Sequence, residues 1–190
     1  MIKAIIFDCF GVLADDGWLP LKRKYIGDNK KLAEEIADLG KQNEYGFIDN
    51  ETHLRRMAQL MDIDREVLRA ALRTRVPNEE LFAYIKMELK PHYKIGLLTN
   101  ANYDVLHDLF TPEQAALFDG YVMSRDIRLI KPDKRMFEAI ALRLDVHMDE
   151  CLFVDDVERY VEAAKEYGMQ AIWWRDGEQG MADLRAYAQG

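Results

Sequence analysis

Six polar residues in this sequence stand where chemistry could be done: Asp8, Thr99, Asn100, Lys131, Asp155 and Asp156. Asp8 ends the apolar, β-prone run from Lys3 to Phe7, and Gly11 follows three positions later. Thr99 and Asn100 close the run from Tyr93 to Leu98, and Asp155 with Asp156 close Cys151 to Val154. Polar residues at such ends commonly begin turns or cap the next helix. Two features ask for more. Carboxylates crowded together raise one another's pKa unless a cation lies between them. Lys131, directly before Pro132 and Asp133, sets a positive charge ahead of a helix start, which is unfavourable unless an anion faces it. A hard divalent cation such as Mg²⁺, held by the carboxylates, answers the first, and a phosphate held by that ion and Lys131 answers the second. Amides around Gly11 and Asn100 and the Thr99 hydroxyl would complete a phosphate cradle. The constellation reads as a site for phosphoryl transfer.

These residues meet only if the runs that carry them lie side by side. In an open parallel sheet, ligands bind outside the carboxyl ends of the strands. The sequence predicts five strands, ending at Asp8, Thr99, Ser124, Asp155 and Trp174, of which those ending at Asp8, Thr99 and Asp155 read as buried. Between the last four it predicts helices around Asp104 to Phe110, from Lys131 to about Leu144, and over Val161, Ala164 and Tyr167 to a stop at Gly168. A tail helix spans Met181 to Ala188. This alternation predicts an α/β fold with a doubly wound parallel sheet and right-handed crossovers. From Leu13 to about Pro91 only helical periodicity is visible. Its apolar stripes are Leu32, Ile36 and Leu39; Leu54, Met57 and Leu60 or Met61; Val67, Leu68 and Leu72; and Leu81, Phe82, Ile85 and Leu89. Gly40, Gly46 with Asp49-Asn50, Asp62 to Asp64 and Pro77-Asn78 punctuate them. Asp15 and Asp16 are expected to cap the first helix. The expected organisation is an α/β core of residues 1–14 and 92–190 with a helical bundle, residues 15–91, inserted after the first strand.

Composition limits the company such a site keeps. The chain has 190 residues, 49% hydrophobic and 32% charged, as in a soluble globular protein. Its formal charge of −8 argues against a nucleic-acid surface and requires local cations to draw in an anionic substrate. No apolar run reaches the roughly 20 residues that cross a bilayer. No targeting segment is visible, so the cytoplasm is the expected compartment. Cys9 and Cys151 are expected to be reduced, buried thiols, and no base lies near Cys9 in sequence to activate it. Trp173 and Trp174 are expected to pack at the sheet edge.

Four stretches, FDCFGVL, LLTNA, IKPDKRMF and FVDDVERYVEAAKEYGM, resemble in order the four motifs of the haloacid dehalogenase-like hydrolases. The resemblance covers nearly the whole chain, with the helical insertion in the position of that superfamily's cap. It implies that Asp8 is a nucleophile that takes up a phosphoryl group, that Thr99 binds the phosphoryl oxygens and that Lys131 neutralises them. It implies further that Asp156 ligates Mg²⁺ directly, that Asp155 orients a metal-bound water, and that the Phe10 carbonyl supplies another metal oxygen. The implied protein is a Mg²⁺-dependent phosphatase acting on a small phosphorylated metabolite, as a monomer or small homo-oligomer, with specificity supplied by the cap.

The pattern breaks at Phe10, where phosphatases of this kind carry a second aspartate that protonates the leaving oxygen. Loss of a positioned acid or base typically costs about 10²–10⁴-fold in rate. A substrate with a good leaving group would tolerate the loss, and Asp15, Asp16, Glu44 or His53 would be candidates to replace the acid. Two further readings keep the same residues: a hydrolytic 2-haloacid dehalogenase, which carries an aromatic residue at this position and needs no metal, or a catalytically impaired phosphate-binding protein. Tyr160 also departs from the asparagine that relatives often carry beside the metal loop.

Overall fold

The protein is seen here as a computed structural model that describes residues 1–15, 17–73 and 75–189. Five strands form one sheet: β1 (Ala4–Phe7), β2 (Lys94–Thr99), β3 (Gly120–Met123), β4 (Cys151–Asp155) and β5 (Gln170–Trp173). Their order is β3-β2-β1-β4-β5, and every pair is parallel. The predicted α/β class and doubly wound parallel sheet are therefore what the chain forms. β1 lies at the centre, and the chain winds first toward β3 and then across to β4. That change of direction opens a crevice beside the end of β1, the place where such sheets bind ligands.

Alternation along β1 explains why both sheet faces are covered. Ile5 and Phe7 point into one apolar layer with Ile95, Leu97, Leu152 and Val154, covered by Leu81, Phe82, Ile85 and Leu89 and by Leu184. Ala4 and Ile6 point the other way, toward Met136, Phe137 and Ile140 of the helix Lys134–Arg143 and Ala164 of the helix Glu158–Glu166. The continuous apolar runs of β1, β2 and β4 become two-sided strands because neither face meets water, whereas β5 at the edge is partly exposed.

Between β1 and β2 the chain is helical, and its packing divides unlike the expectation of one bundle over 15–91. Leu21, Ile36, Leu39, Met57, Met61 and Leu68 make a cluster of their own. The helix Glu79–Tyr84 and its π-helical continuation Ile85–Leu89 instead pack their stripe under the sheet. A stripe of four large apolar residues goes where apolar area is offered, and the sheet face offers more. Gly40 does not end a helix either: Lys30–Glu44 runs through it, held by the stripe of Leu32, Ile36 and Leu39. The two ends of the separate cluster lie together. Asp15 N donates to the Val76 carbonyl at 3.1 Å, Val76 N donates to Asp15 Oδ1 at 3.0 Å, and Ala14 bridges Pro77 antiparallel. Asp15 is thus tied to Val76 rather than capping a helix, and Asp16 lies outside the described residues.

Trp174 lies just past β5 and is buried, while Trp173 remains over a third exposed. No described helix is long and apolar enough to cross a membrane.

Candidate active site

The centre of the site is Lys131. Its side chain is fully buried, and its amine lies 2.7 Å from Asp8 Oδ1 and 2.6 Å from Asp155 Oδ2. Burial opposes the charge on this amine, but Asp155 and Asp8 outweigh it and hold the pKa above the ordinary lysine value. Burial likewise pushes Asp155 upward, against the pull of Lys131. With an ammonium at 2.6 Å and the Val157 amide donating to its other oxygen at 2.8 Å, the carboxylate form is the one this geometry satisfies. The helix after Lys131 starts only at Lys134, with Asp133 as its cap. Its dipole is therefore not what Lys131 answers to; the two strand-end carboxylates are.

Asp8 follows β1 directly and is fixed by its amide, which donates to the Val154 carbonyl at 2.9 Å. Asp156 follows β4. Oxygens of Asp8, Asp155 and Asp156 all come within 4.8 Å of one another. Gly11 passes against this group with φ of +87°, and a Cβ there would stand 2.4 Å from Asp156 Oδ2. The Trp173 indole donates to the Asp156 carbonyl at 3.0 Å and so pins the loop that carries the acid. Three carboxylates facing one lysine form an oxygen-rich, net negative set, and such donors suit Mg²⁺.

Thr99 is buried at the end of β2. Asn100 beside it accepts the Lys131 backbone N–H on its Oδ1 at 2.7 Å, so its side chain positions the lysine. Its Nδ2 faces Glu44 Oε2 at 3.5 Å and the Tyr160 hydroxyl at 3.4 Å. Tyr160 thus packs beside Lys131, whose amine is 5.1 Å from its ring centroid. Cys9 is buried beside Asp8, and burial first, then Asp8, pushes its thiol well above the ordinary range, as an inert thiol requires.

Phe10 faces a part of the site that sequence reasoning missed. The Arg75 guanidinium lies over its ring, 4.0 Å from the centroid, and Nη1 donates to the Tyr103 hydroxyl at 2.5 Å. Of the four candidate replacement acids, Glu44 is brought to the site, Asp15 is held by Val76, and Asp16 is outside the described residues. His53 Nε2 is buried with no hydrogen-bond partner, and burial lowers its pKa to about 4, so the ring is neutral. Nothing in the local sequence of Arg75, Tyr103 or Trp173 marks them, because each acts on a residue at least 17 positions away.

This sheet, with acids at the ends of β1 and β4 and a lysine between them, defines a hydrolase of the haloacid dehalogenase-like class. Residues 2–168 match that family's model, and the chain belongs to the haloacid dehalogenase-like hydrolases. It is 25% identical to (S)-2-haloacid dehalogenase 1 of Pseudomonas sp. (strain CBS-3) over 90% of this chain and 83% of the relative. A phosphatase of Mycobacterium tuberculosis is 38% identical over 41% of this chain and 37% of its own length. Among solved structures, a HAD-like family hydrolase from Porphyromonas gingivalis superposes with a TM-score of 0.76 at 25% identity, covering 100% of this chain and 99% of the other. A HAD family enzyme from Bacteroides thetaiotaomicron, in complex with magnesium and inorganic phosphate, has a TM-score of 0.66 at 23% identity, covering 91% and 94%.

Proposed function

We propose that the protein is a Mg²⁺-dependent phosphatase that hydrolyses a small phosphorylated metabolite through a phosphoryl group carried on Asp8. The observation that carries this reading is the approach of Asp8, Asp155 and Asp156 oxygens to within 4.8 Å beside the buried Lys131. Three carboxylates against one lysine leave the set net negative, and a divalent cation would relieve that excess. Asp8, Asp156 and the Phe10 carbonyl would hold Mg²⁺, with Asp155 ordering its hydration. When bound, the ion would neutralise charge on the transferring phosphoryl oxygens.

The chain's own residues would do the rest. The Asp8 carboxylate attacks phosphorus, the bond to the leaving oxygen breaks, and water then cleaves the acyl phosphate to restore Asp8. Lys131 holds Asp8 in place and supplies positive charge to the phosphoryl oxygens, while Asn100 fixes the lysine through its backbone. Thr99 would bind a phosphoryl oxygen. The helices between Asp15 and Pro77 would act as the cap that selects the rest of the substrate, with the helix Glu79–Tyr84 left to the core on the ground of its packing.

Mg²⁺-dependent hydrolysis of nitrophenyl phosphate tests the reading. Wild type is expected to turn it over with Mg²⁺ and not with a chelator. Asp8→Asn is expected to lose activity by at least about 10³-fold while keeping its circular dichroism and melting temperature. Activity retained in Asp8→Asn would remove the nucleophile. A second reading, haloacid hydrolysis, draws on the aromatic Phe10 beside Arg75 and on the Pseudomonas relative. Halide release from 2-haloacids without Mg²⁺ would favour it.

A further inference from the structure

This inference rests on the phosphatase reading and deepens it. Transfer of a phosphoryl group to Asp8 sends the bonding electron pair to the leaving oxygen, and an alkoxide leaves slowly unless it is protonated as it goes. Phe10 has no proton to give. Arg75, stacked on its ring, is too weak an acid. Lys131 is locked as a cation between two carboxylates, the Cys9 thiol is buried, and Asp15 is turned to Val76.

Glu44 is placed differently. It is the last residue of the helix Lys30–Glu44, which runs past Gly40 and so carries the side chain to the site. Its Oε2 lies 3.5 Å from Asn100 Nδ2, the amide whose other end holds Lys131. The Tyr160 hydroxyl lies 3.4 Å from the same Asn100 Nδ2. The charged groups that face Glu44 are Lys131, Arg159 and Asp8. Burial raises its carboxyl pKa, with Lys131 and Arg159 opposing and Asp8 adding to the rise. The side chain is half-buried.

We infer that Glu44 is the general acid and base of this site, standing in for the aspartate that Phe10 replaces. As Asp8 Oδ bonds to phosphorus and the ester P–O bond breaks, the leaving oxygen takes the proton of the Glu44 carboxyl. An alcohol departs, and Glu44 is left as carboxylate. A water then gives a proton to that carboxylate while its oxygen attacks phosphorus, the bond to Asp8 breaks, and inorganic phosphate and the Asp8 carboxylate are released. Both steps balance without another reactant.

The test is a leaving-group series from nitrophenyl to alkyl phosphates, with kcat/KM measured on Mg²⁺-loaded wild type, Glu44→Gln and Asp16→Asn, each checked for fold by circular dichroism. Glu44→Gln is expected to lower kcat/KM for alkyl phosphates by about 10²-fold or more, and for nitrophenyl phosphate by a factor at least about tenfold smaller. The alkaline limb of the wild-type pH profile with alkyl phosphates should vanish in Glu44→Gln. Asp16→Asn should leave the slope of the series unchanged. Equal losses along the series in Glu44→Gln, or a steeper series in Asp16→Asn instead, would overturn this role and leave the phosphatase standing. A wild type that hydrolyses no phosphate with Mg²⁺ would remove both.

Discussion

Gly11 shows how closely one backbone position is tied to the acids of the site. Its φ of +87° is a conformation that costs a residue with a Cβ about 1–2 kcal/mol. The missing Cβ also leaves room for Asp156, whose Oδ2 would otherwise be met at 2.4 Å. Gly11→Ala is therefore expected to displace Asp156 and weaken Mg²⁺ about 10–100-fold, the range seen when groups that orient a ligand are lost. A Mg²⁺ titration of activity, or of heat, would read this, and an unchanged midpoint would show that Asp156 does not need its present place. At this scale the sequence was legible where one residue ends one strand. Asp8, Thr99, Asp155 and Asp156 were singled out that way, and Lys131 from its place before Pro132 and Asp133, and the fold brings Asp8, Lys131, Asp155 and Asp156 together. For Asn100 the sequence offered a phosphate contact, and only the fold shows in addition its Oδ1 accepting the Lys131 N–H. Arg75, Tyr103 and Trp173 were not legible, since pairing across the fold leaves no mark in local spacing.

The helix Asn50–Met61 carries the clearest consequence at the level of elements. His53 sits on it with Nε2 buried and unpartnered, and burial lowers its pKa from 6.5 to about 4. The folded state thus holds the ring neutral where the unfolded chain would protonate it. The stabilising contribution is whole above pH 6.5 and is lost as pH falls from 6.5 toward 4, by up to about 3 kcal/mol. Melting temperature followed over that window should fall less steeply in His53→Leu than in wild type. Equal slopes would mean that the ring gains a proton, or a partner, in the folded state. Elements themselves were read well from period and punctuation, strands above all, because two-sided burial demands continuous apolar runs. Gly40 misled because its cost inside a helix, about 1 kcal/mol, is small beside the packing of Ile36 and Leu39 on either side of the turn before it.

Across the whole molecule, a chain of net charge −8 sets three of its cations about the candidate site: Lys131 inside, Arg159 beside Tyr160 and Arg75 over Phe10. The separate helical cluster supplies Arg75 and Glu44 to this ring, yet its apolar residues pack on one another. Its two ends are already joined by the hydrogen bonds of Asp15 with Val76 and the bridge of Ala14 to Pro77. Replacing residues 16–75 by an Asn-Gly turn would close that antiparallel pair in the way such dipeptides favour. Both apolar layers of the sheet would survive, since Leu81, Phe82, Ile85 and Leu89 remain. We expect the shortened protein to fold and to keep Mg²⁺-dependent hydrolysis of nitrophenyl phosphate, because Asp8, Lys131, Asp155 and Asp156 all lie outside the segment removed. Its choice among substrates should change. A pocket commonly separates substrates that differ by one methylene by about 10–200-fold. Without the helices, phosphates of equal leaving-group acidity should come within about threefold of one another in kcat/KM, while poor leaving groups are lost together with Glu44. A shortened protein that folds and ranks a panel of small phosphates as the full chain does would show that selection resides in the sheet and its loops, and that the helices serve another purpose.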